Sequence, residues 1–267
     1  MSTVSAFLVT GSPLPLLRPD NPPWAVLADG FKAASAALVA SRPDVLLVYS
    51  TQWIAVLDEL WQVRPHSVGV HVDENWYEFG DLKFDIESDV ALAEACVAGC
   101  ATIGMSAKPV DYEDFPIDTG TIVADALLNP GRVPLVIAAN NVYHDFAKTE
   151  ALAAMAGETA AAQGKRVAVV AVGGLSGAYF DHRIDIATDH VRHEADDTAN
   201  KAFLDALQQG SEASRAAVGD YAGKTKADFG MKHLAWVLGA TGGFSGAIVH
   251  GYSATYGAGA AVVEFKL

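Results

Sequence analysis

The chain has 267 residues, 51% hydrophobic and 19% charged, a composition that can bury a core and is not that of a disordered protein. Its 18 Lys and Arg against 32 Asp and Glu give a net charge of −14 and a pI near 4.8. Such a surface repels phosphate backbones and anionic lipid and argues against nucleic-acid or membrane-surface partners. Apolar runs stop short of the roughly 18 residues a membrane span needs, no leader pattern opens the sequence, and two cysteines make no disulfide scaffold, so a cytoplasmic protein is expected.

In chain order, residues 4–9 read as a short apolar strand. A proline-rich loop, 12–24, follows with Pro13, Pro15, Pro19, Pro22 and Pro23, longer than a connector requires. An Ala-rich helix over 25–41 leads to a strand at 44–49, which ends in Tyr49, Ser50, Thr51 and Gln52 before Trp53. A helical piece is expected after Trp53, a strand over 67–72, and an acidic, aromatic loop over 73–86 carrying Trp76, Tyr77 and Phe79. Residues 86–104 have amphipathic helical character, with Glu87 and Asp89 in the first turn, where the dipole favours anions. Cys96 and Cys100 lie four apart there and read as small apolar residues on a buried face. After a loop at 111–118, Asp118-Thr-Gly-Thr121 opens a short helix. A strand over 133–139, a helix over 147–163 stopped by Gly164, and a strand over 166–172 ending in Gly173-Gly174 come next. The remainder is mainly helical to Gly239, with late strands at 246–252 and 260–265. The α/β alternation, without linker or repeat, predicts a single domain over 1–267.

In open α/β sheets, ligands bind beyond the carboxyl ends of strands. Four strands end in candidate site loops, 10–13, 50–53, 140–144 and 173–182. The cluster at 50–53 holds no His, Cys, Asp or Glu. Other motifs are weak. The glycine-rich run Gly239 to Gly246 lacks the strand-to-helix frame of a dinucleotide loop. Gly174-Leu-Ser-Gly-Ala178 lacks the second glycine of a nucleophile elbow. His190, His193 and Glu194 are close in sequence, but the segment is strongly charged and reads as a solvated face. His66 and His71 flank a strand, His144 could line a pocket at a strand end, and His233 and His250 read as structural.

Five segments in order carry a resemblance over nearly the whole chain: Phe7-Leu-Val-Thr-Gly-Ser-Pro-Leu-Pro15, Pro43 to Trp53, Asp118-Thr-Gly-Thr121, Val136-Ile-Ala-Ala-Asn-Asn141 and Gly173-Gly-Leu-Ser176. Together they resemble the class III extradiol ring-cleaving dioxygenases of the protocatechuate 4,5-dioxygenase type. Within them the likeness is greatest to the two-subunit 2-aminophenol 1,6-dioxygenases, and to the α chain. The resemblance implies a central mixed sheet flanked by helices, and in active members Fe(II) held by two His and one Glu, with another His as acid/base. At the matching positions this chain has Gly11 and Gln52 for the two His ligands, Gly177 for the acid/base and, less firmly placed, Asp228 for the Glu. Glycine supplies no donor atom and an amide oxygen is a weak Fe(II) ligand beside imidazole. The resemblance therefore implies a non-catalytic subunit that binds no metal itself. It would support a homologous Fe(II)-bearing β chain, in an α2β2 assembly, that opens 2-aminophenol to 2-aminomuconic 6-semialdehyde. Trp76, Tyr77 and the 13–24 loop are candidate contact surfaces. Two alternatives stand beside this. The chain could be a regulatory subunit binding a small aromatic with Tyr49 and Gln52 as polar contacts, or an active metalloenzyme using His144, His182 or His190.

Overall fold

A computed structural model describes residues 3–267. Its elements are β1 (Thr3–Val9), α1 (Leu14–Leu17), α2 (Pro22–Ser41), β2 (Val45–Ala55), β3 (Glu59–Gln62), β4 (His66–His71), β5 (Leu82–Glu87), α3 (Val90–Cys100), β6 (Ala107–Val110), α4 (Thr119–Leu128) and β7 (Leu135–Asn141). There follow α5 (Phe146–Ala162), β8 (Val167–Val172), α6 (Glu194–Gln208), α7 (Ser211–Thr225), α8 (Lys232–Thr241), β9 (Gly246–Thr255) and β10 (Ala258–Lys266). Eight strands form one mixed sheet in the order β6-β3-β7-β2-β8-β1-β10-β9, with β4 and β5 as a separate ribbon. The centre, β7-β2-β8-β1, is parallel. Strands there are covered on both faces, which is why Val45–Val48 and Val167–Val172 are unbroken apolar runs rather than alternating ones. One face packs against α3, α5 and α8 through Leu92, Leu152 and Trp236. The other packs against α2 and α4 through Leu27, Phe31 and Ile122. β9 and β10 close one side as an antiparallel hairpin whose two-residue turn, Tyr256 and Gly257, has both φ positive (54° and 90°), as a right-twisted hairpin needs. The single α/β domain with a mixed sheet flanked by helices is as expected from the sequence.

Several local expectations fail for identifiable reasons. No helix follows Trp53: β2 continues to Ala55 with Trp53 and Ala55 buried and Gln52 and Ile54 exposed, a period of two, and β3 follows. The stretch 73–86 is not all loop, because Leu82 and Ile86 alternate into the core as part of β5, paired antiparallel with β4. The helix expected over 86–104 spans only Val90–Cys100. Glu87 ends β5, and Asp89 is the N-cap, accepting from the Leu92 N–H at 3.2 Å. Asp118 and Asp145 cap α4 and α5 in the same way. The edge strand β6 had no sequence signal. Cys96 and Cys100 are fully buried, and burial pushes their thiols up to about 12 and about 11, which leaves both unreactive. No helix among the described residues is long and apolar enough to cross a membrane.

Candidate functional site

The feature that builds the site is an irregularity in β2. Tyr49 pairs with Ala138 and Ile54 with Asn140, so residues 50–53 stand opposite Ala139 alone. The excess bulges out at the carboxyl edge of the sheet. The turn after β1 lies beside it, and the N-terminus of α4 packs in close. A Cβ on Gly120 would sit 2.8 Å from Ser50 Oγ, so the Asp118-Thr-Gly-Thr121 pattern needs its glycine for this approach. Asp118 ties the bulge to α4, accepting from Ser50 Oγ at 2.5 Å and from both the N–H and the hydroxyl of Thr121.

These elements frame an open cavity of about 780 Å³. Its floor comes from Thr10–Pro13 and Thr51–Ile54, and its walls from the 73–76 and 116–119 segments, Gly174–Gly177, Tyr179, Lys226, Asp228 and Phe229. Gly11, Gln52, Gly177 and Asp228, far apart in sequence, all line it. Gln52 Nε2 donates to the Gly11 carbonyl at 3.2 Å and fills the space a side chain at 11 would take: a Cβ there would lie 2.8 Å from that nitrogen. A Cβ on Gly177 would lie 2.6 Å from the Lys226 carbonyl oxygen, so that position takes no side chain without a backbone shift. Asp228 Oδ2 accepts from Thr51 Oγ1 at 2.6 Å and from the Gly174 N–H at 2.9 Å. These residues do not suit a metal ion: Gly11 and Gly177 have no side-chain donor atom, Gln52 offers an amide, and Asp228 Oδ2 is already held by two donors. Among the described residues no three His, Cys, Asp or Glu gather as a ligand set.

Trp76 also lines the cavity, fixed by stacking on Phe79 (6.1 Å, 6°) and by the edge of Tyr256 (5.0 Å). Tyr77 points away and is 64% exposed. Tyr49 and His144 do not reach the cavity. Tyr49 faces the opposite side of the sheet, and its hydroxyl donates to Asn140 Oδ1 at 2.9 Å. His144 Nδ1 stands 3.4 Å from Glu59, and burial lowers its affinity for a proton. The 181–194 segment does not assemble its histidines: His190 and His182 pack against Phe180, and His193 is the N-cap of α6. Ser176 is no nucleophile either. It is buried, and its Oγ accepts from Asn200 Nδ2 and the Gly259 N–H.

Behind the cavity wall lies a polar cluster that sequence reasoning missed. Lys232 is buried and donates to Asn140 Oδ1 (2.9 Å) and the Asn141 carbonyl (2.7 Å), while Asn140 Nδ2 donates to the Thr51 carbonyl. Glu59 is fully buried with no hydrogen bond to either carboxyl oxygen. Burial raises its pKa well above the usual range, and Lys232 opposes the shift. The same burial lowers the Lys232 pKa, against Glu59 and Asp145. Between Asp228 and Lys232 the backbone passes through three left-handed residues, Phe229 (φ 41°), Gly230 (65°) and Met231 (65°), two of them not glycine. A lone lysine in the apolar run Met231 to Leu238 was the available signal.

An α/β sheet whose parallel strands end in one open cavity has the architecture that binds ligands beyond the carboxyl ends of its strands. The chain belongs to the family described as the catalytic LigB subunit of aromatic ring-opening dioxygenase, which matches residues 7–266. It is 51% identical, over the full length of both chains, to a 2-aminophenol 1,6-dioxygenase alpha subunit from Pseudomonas sp. It is 26% identical to a 2-aminophenol 1,6-dioxygenase beta subunit from Pseudomonas sp, over 99% of this chain and 94% of the relative. A crystal structure of an uncharacterized protein from Escherichia coli K12 shares the fold, with a TM-score of 0.69 at 13% identity over 98% of this chain and 99% of that one.

Proposed function

We propose that this chain is the non-catalytic α subunit of a cytoplasmic two-subunit 2-aminophenol 1,6-dioxygenase, paired as α2β2 with a homologous β chain that carries Fe(II) and yields 2-aminomuconic 6-semialdehyde. The observation that carries the reading is the convergence of Gly11, Gln52, Gly177 and Asp228 on one cavity. The positions implied for two ligands, an acid/base and a third ligand lie together, and the side chains for the chemistry are absent from three of them. Likeness to both an alpha and a beta subunit supports a duplicated fold in which one copy kept its place in the assembly and lost its donors. In the β chain, two His and one carboxylate would hold Fe(II), which would supply binding of the ring and activation of dioxygen; in this chain the same fold would supply a partner surface.

The test is iron content of this chain after anaerobic loading with Fe(II) and desalting. Near-zero iron is expected, and stoichiometric iron overturns the reading. Replacing Gly11→His together with Gln52→His removes the Gln52 amide, the closest neighbour of a side chain at 11, and leaves the Gly120 Cα and Val172 Cγ1 at 3.1 Å to give by a few tenths of an ångström; the double variant should then retain iron that the parent does not. Gly177→His should instead damage the fold, since the Lys226 carbonyl occupies its space.

For the partner surface, residues 13–24 are not the loop expected but hold α1 and the start of α2, and their large apolar side chains Leu14 and Trp24 are fully buried, so that segment offers little apolar surface to a partner. Trp76 is held in the cavity wall. Tyr77 remains free, and the same ribbon exposes Val68, Val70 and Val72 in alternation along and just past β4. A solvent-facing row of apolar residues with an aromatic at its end has the composition of an interface core. Replacing Tyr77→Ala in the co-expressed pair should weaken association about tenfold, the 1.4 kcal/mol scale of one well-packed aromatic contact. Unchanged co-elution with a folded variant would remove this ribbon from the interface.

A further inference from the structure

Resting on the reading of this chain as the non-catalytic subunit, we propose that its cavity is a metal-independent binding site for an uncharged aromatic ring bearing amino or hydroxyl donors, and that it rejects rings bearing a carboxylate. The cavity, about 780 Å³, lies within the range of small-molecule sites, roughly 300–1,000 Å³. One wall is the Trp76 ring, pre-set by Phe79 and Tyr256, so a flat ligand would order little on binding. The polar groups decide the chemistry. Asp118 is used in capping α4. Asp73 accepts from the Asn75 and Trp76 N–H groups and from Thr119 Oγ1. Asp228 differs: Oδ2 takes both of its donors, and Oδ1 takes none. Gln52 presents Nε2 to the Gly11 carbonyl, which turns its unbonded Oε1 the other way. Two acceptors of the lining are therefore unbonded, Gln52 Oε1 on the floor and Asp228 Oδ1 on the wall, and they call for a ligand that donates. The field has the same sign: after burial itself, Asp228 and Asp73 hold the Tyr179 hydroxyl above its usual pKa, and the same carboxylates would repel an anionic substituent. Recognition through Asp228 Oδ1 and Gln52 needs no metal.

The experiment is calorimetric titration of the full chain, treated with EDTA, with 2-aminophenol and with 2-aminobenzoate, which keeps the amino group and replaces the hydroxyl by a carboxylate. One-site binding of 2-aminophenol is expected, at least about tenfold tighter than 2-aminobenzoate. The variant Asp228→Asn keeps an oxygen for Thr51 and Gly174 and turns the free acceptor into an N–H donor. It should lose about tenfold for 2-aminophenol and narrow or reverse the preference. Should Asp228→Asn not fold, Gln52→Leu at an exposed position removes the second acceptor and should lose a similar factor. No saturable binding by the folded chain, equal affinity for the two ligands, loss of binding on EDTA treatment, or unchanged affinity in the folded variants would each overturn the inference. Co-purification with the β chain is scored separately. Pairing without binding overturns the cavity site and leaves the assembly standing; binding without pairing does the reverse.

Discussion

Replacing Lys232→Met should lower the stability of the chain by about 3–5 kcal/mol, the cost of losing two buried charge-assisted hydrogen bonds at roughly 1.5–3 kcal/mol each. For a chain of this size that is a fall in melting temperature of roughly 10 °C. Three losses combine. Asn140 Oδ1 and the Asn141 carbonyl lose a charged donor, Glu59 loses the cation that opposes its burial, and the ammonium no longer stands over the Phe229 ring at 5.6 Å. The last contact matters because Phe229 and Met231 are held in left-handed geometry, which costs roughly 1–2 kcal/mol for each non-glycine residue and persists only while its surroundings over-determine it. Glu59→Gln in the Lys232→Met background separates the charge effect from packing. With no buried carboxylate left to desolvate, the double variant should recover a substantial part of the loss, a coupling of at least about 1 kcal/mol in a double-mutant cycle. Strict additivity in thermal or urea unfolding would mean that Glu59 and Lys232 act independently and that the network description is wrong.

The sequence made the sheet legible because its central strands are buried on both faces, and an apolar run such as Val167–Val172 has no competing reading once turns bound it. It made the cavity's membership legible only through resemblance, since nothing in composition links Gly11, Gln52 and Gly177. What stayed hidden is tertiary. The bulge at 50–53 exists only relative to β7, so a strand that seemed to end at Tyr49 runs on to Ala55. β5 alternates weakly, with Lys83 and Asp85 beside Leu82 and Ile86, and is a strand because β4 pairs with it. Tyr49 was assigned to the pocket from its place at a strand end, but alternation across the sheet sends its side chain to the other face. Glu59 and Lys232 are 173 positions apart in the numbering, and each alone reads as a surface charge. Their burial follows from β3 pairing beside β7 while the start of α8 brings Lys232 onto Asn140 and Asn141 at the end of β7, a fact of topology.

Acid should destabilise this protein through His233 in particular. The ring is fully buried at the second position of α8, packed under Gly173, and neither nitrogen has a hydrogen-bond partner. Burial lowers its pKa to about 4, with the nearby Asp228 and the Gly174 backbone opposing the shift. The folded state thus holds the ring neutral at pH values where the unfolded chain, with a pKa near 6.5, takes up a proton. A depressed histidine contributes stability that is fully present above the unfolded pKa and is lost as pH falls through 6.5 toward the folded value. At about 1.4 kcal/mol per pH unit the loss over that window approaches about 3 kcal/mol. Carboxylates titrate in the lower part of the same range, so the parent curve alone would not isolate the ring. The comparison is His233→Leu, which removes the titrating group and two unpartnered polar atoms while leaving the apolar packing on β8. Urea unfolding at a series of pH values should show the parent losing about 3 kcal/mol more than the variant between pH 6.5 and about 4. Parallel curves would mean that the ring is hydrated or hydrogen-bonded in solution and that its burial under Gly173 is not as tight as the structure has it. The sign also bears on the cavity: the folded ring takes its proton only near pH 4, where it would place a cation behind Asp228 and weaken the acceptor that a donor-bearing ring would use, so ligand affinity should hold through most of the window in which stability is lost and fall only as pH nears about 4.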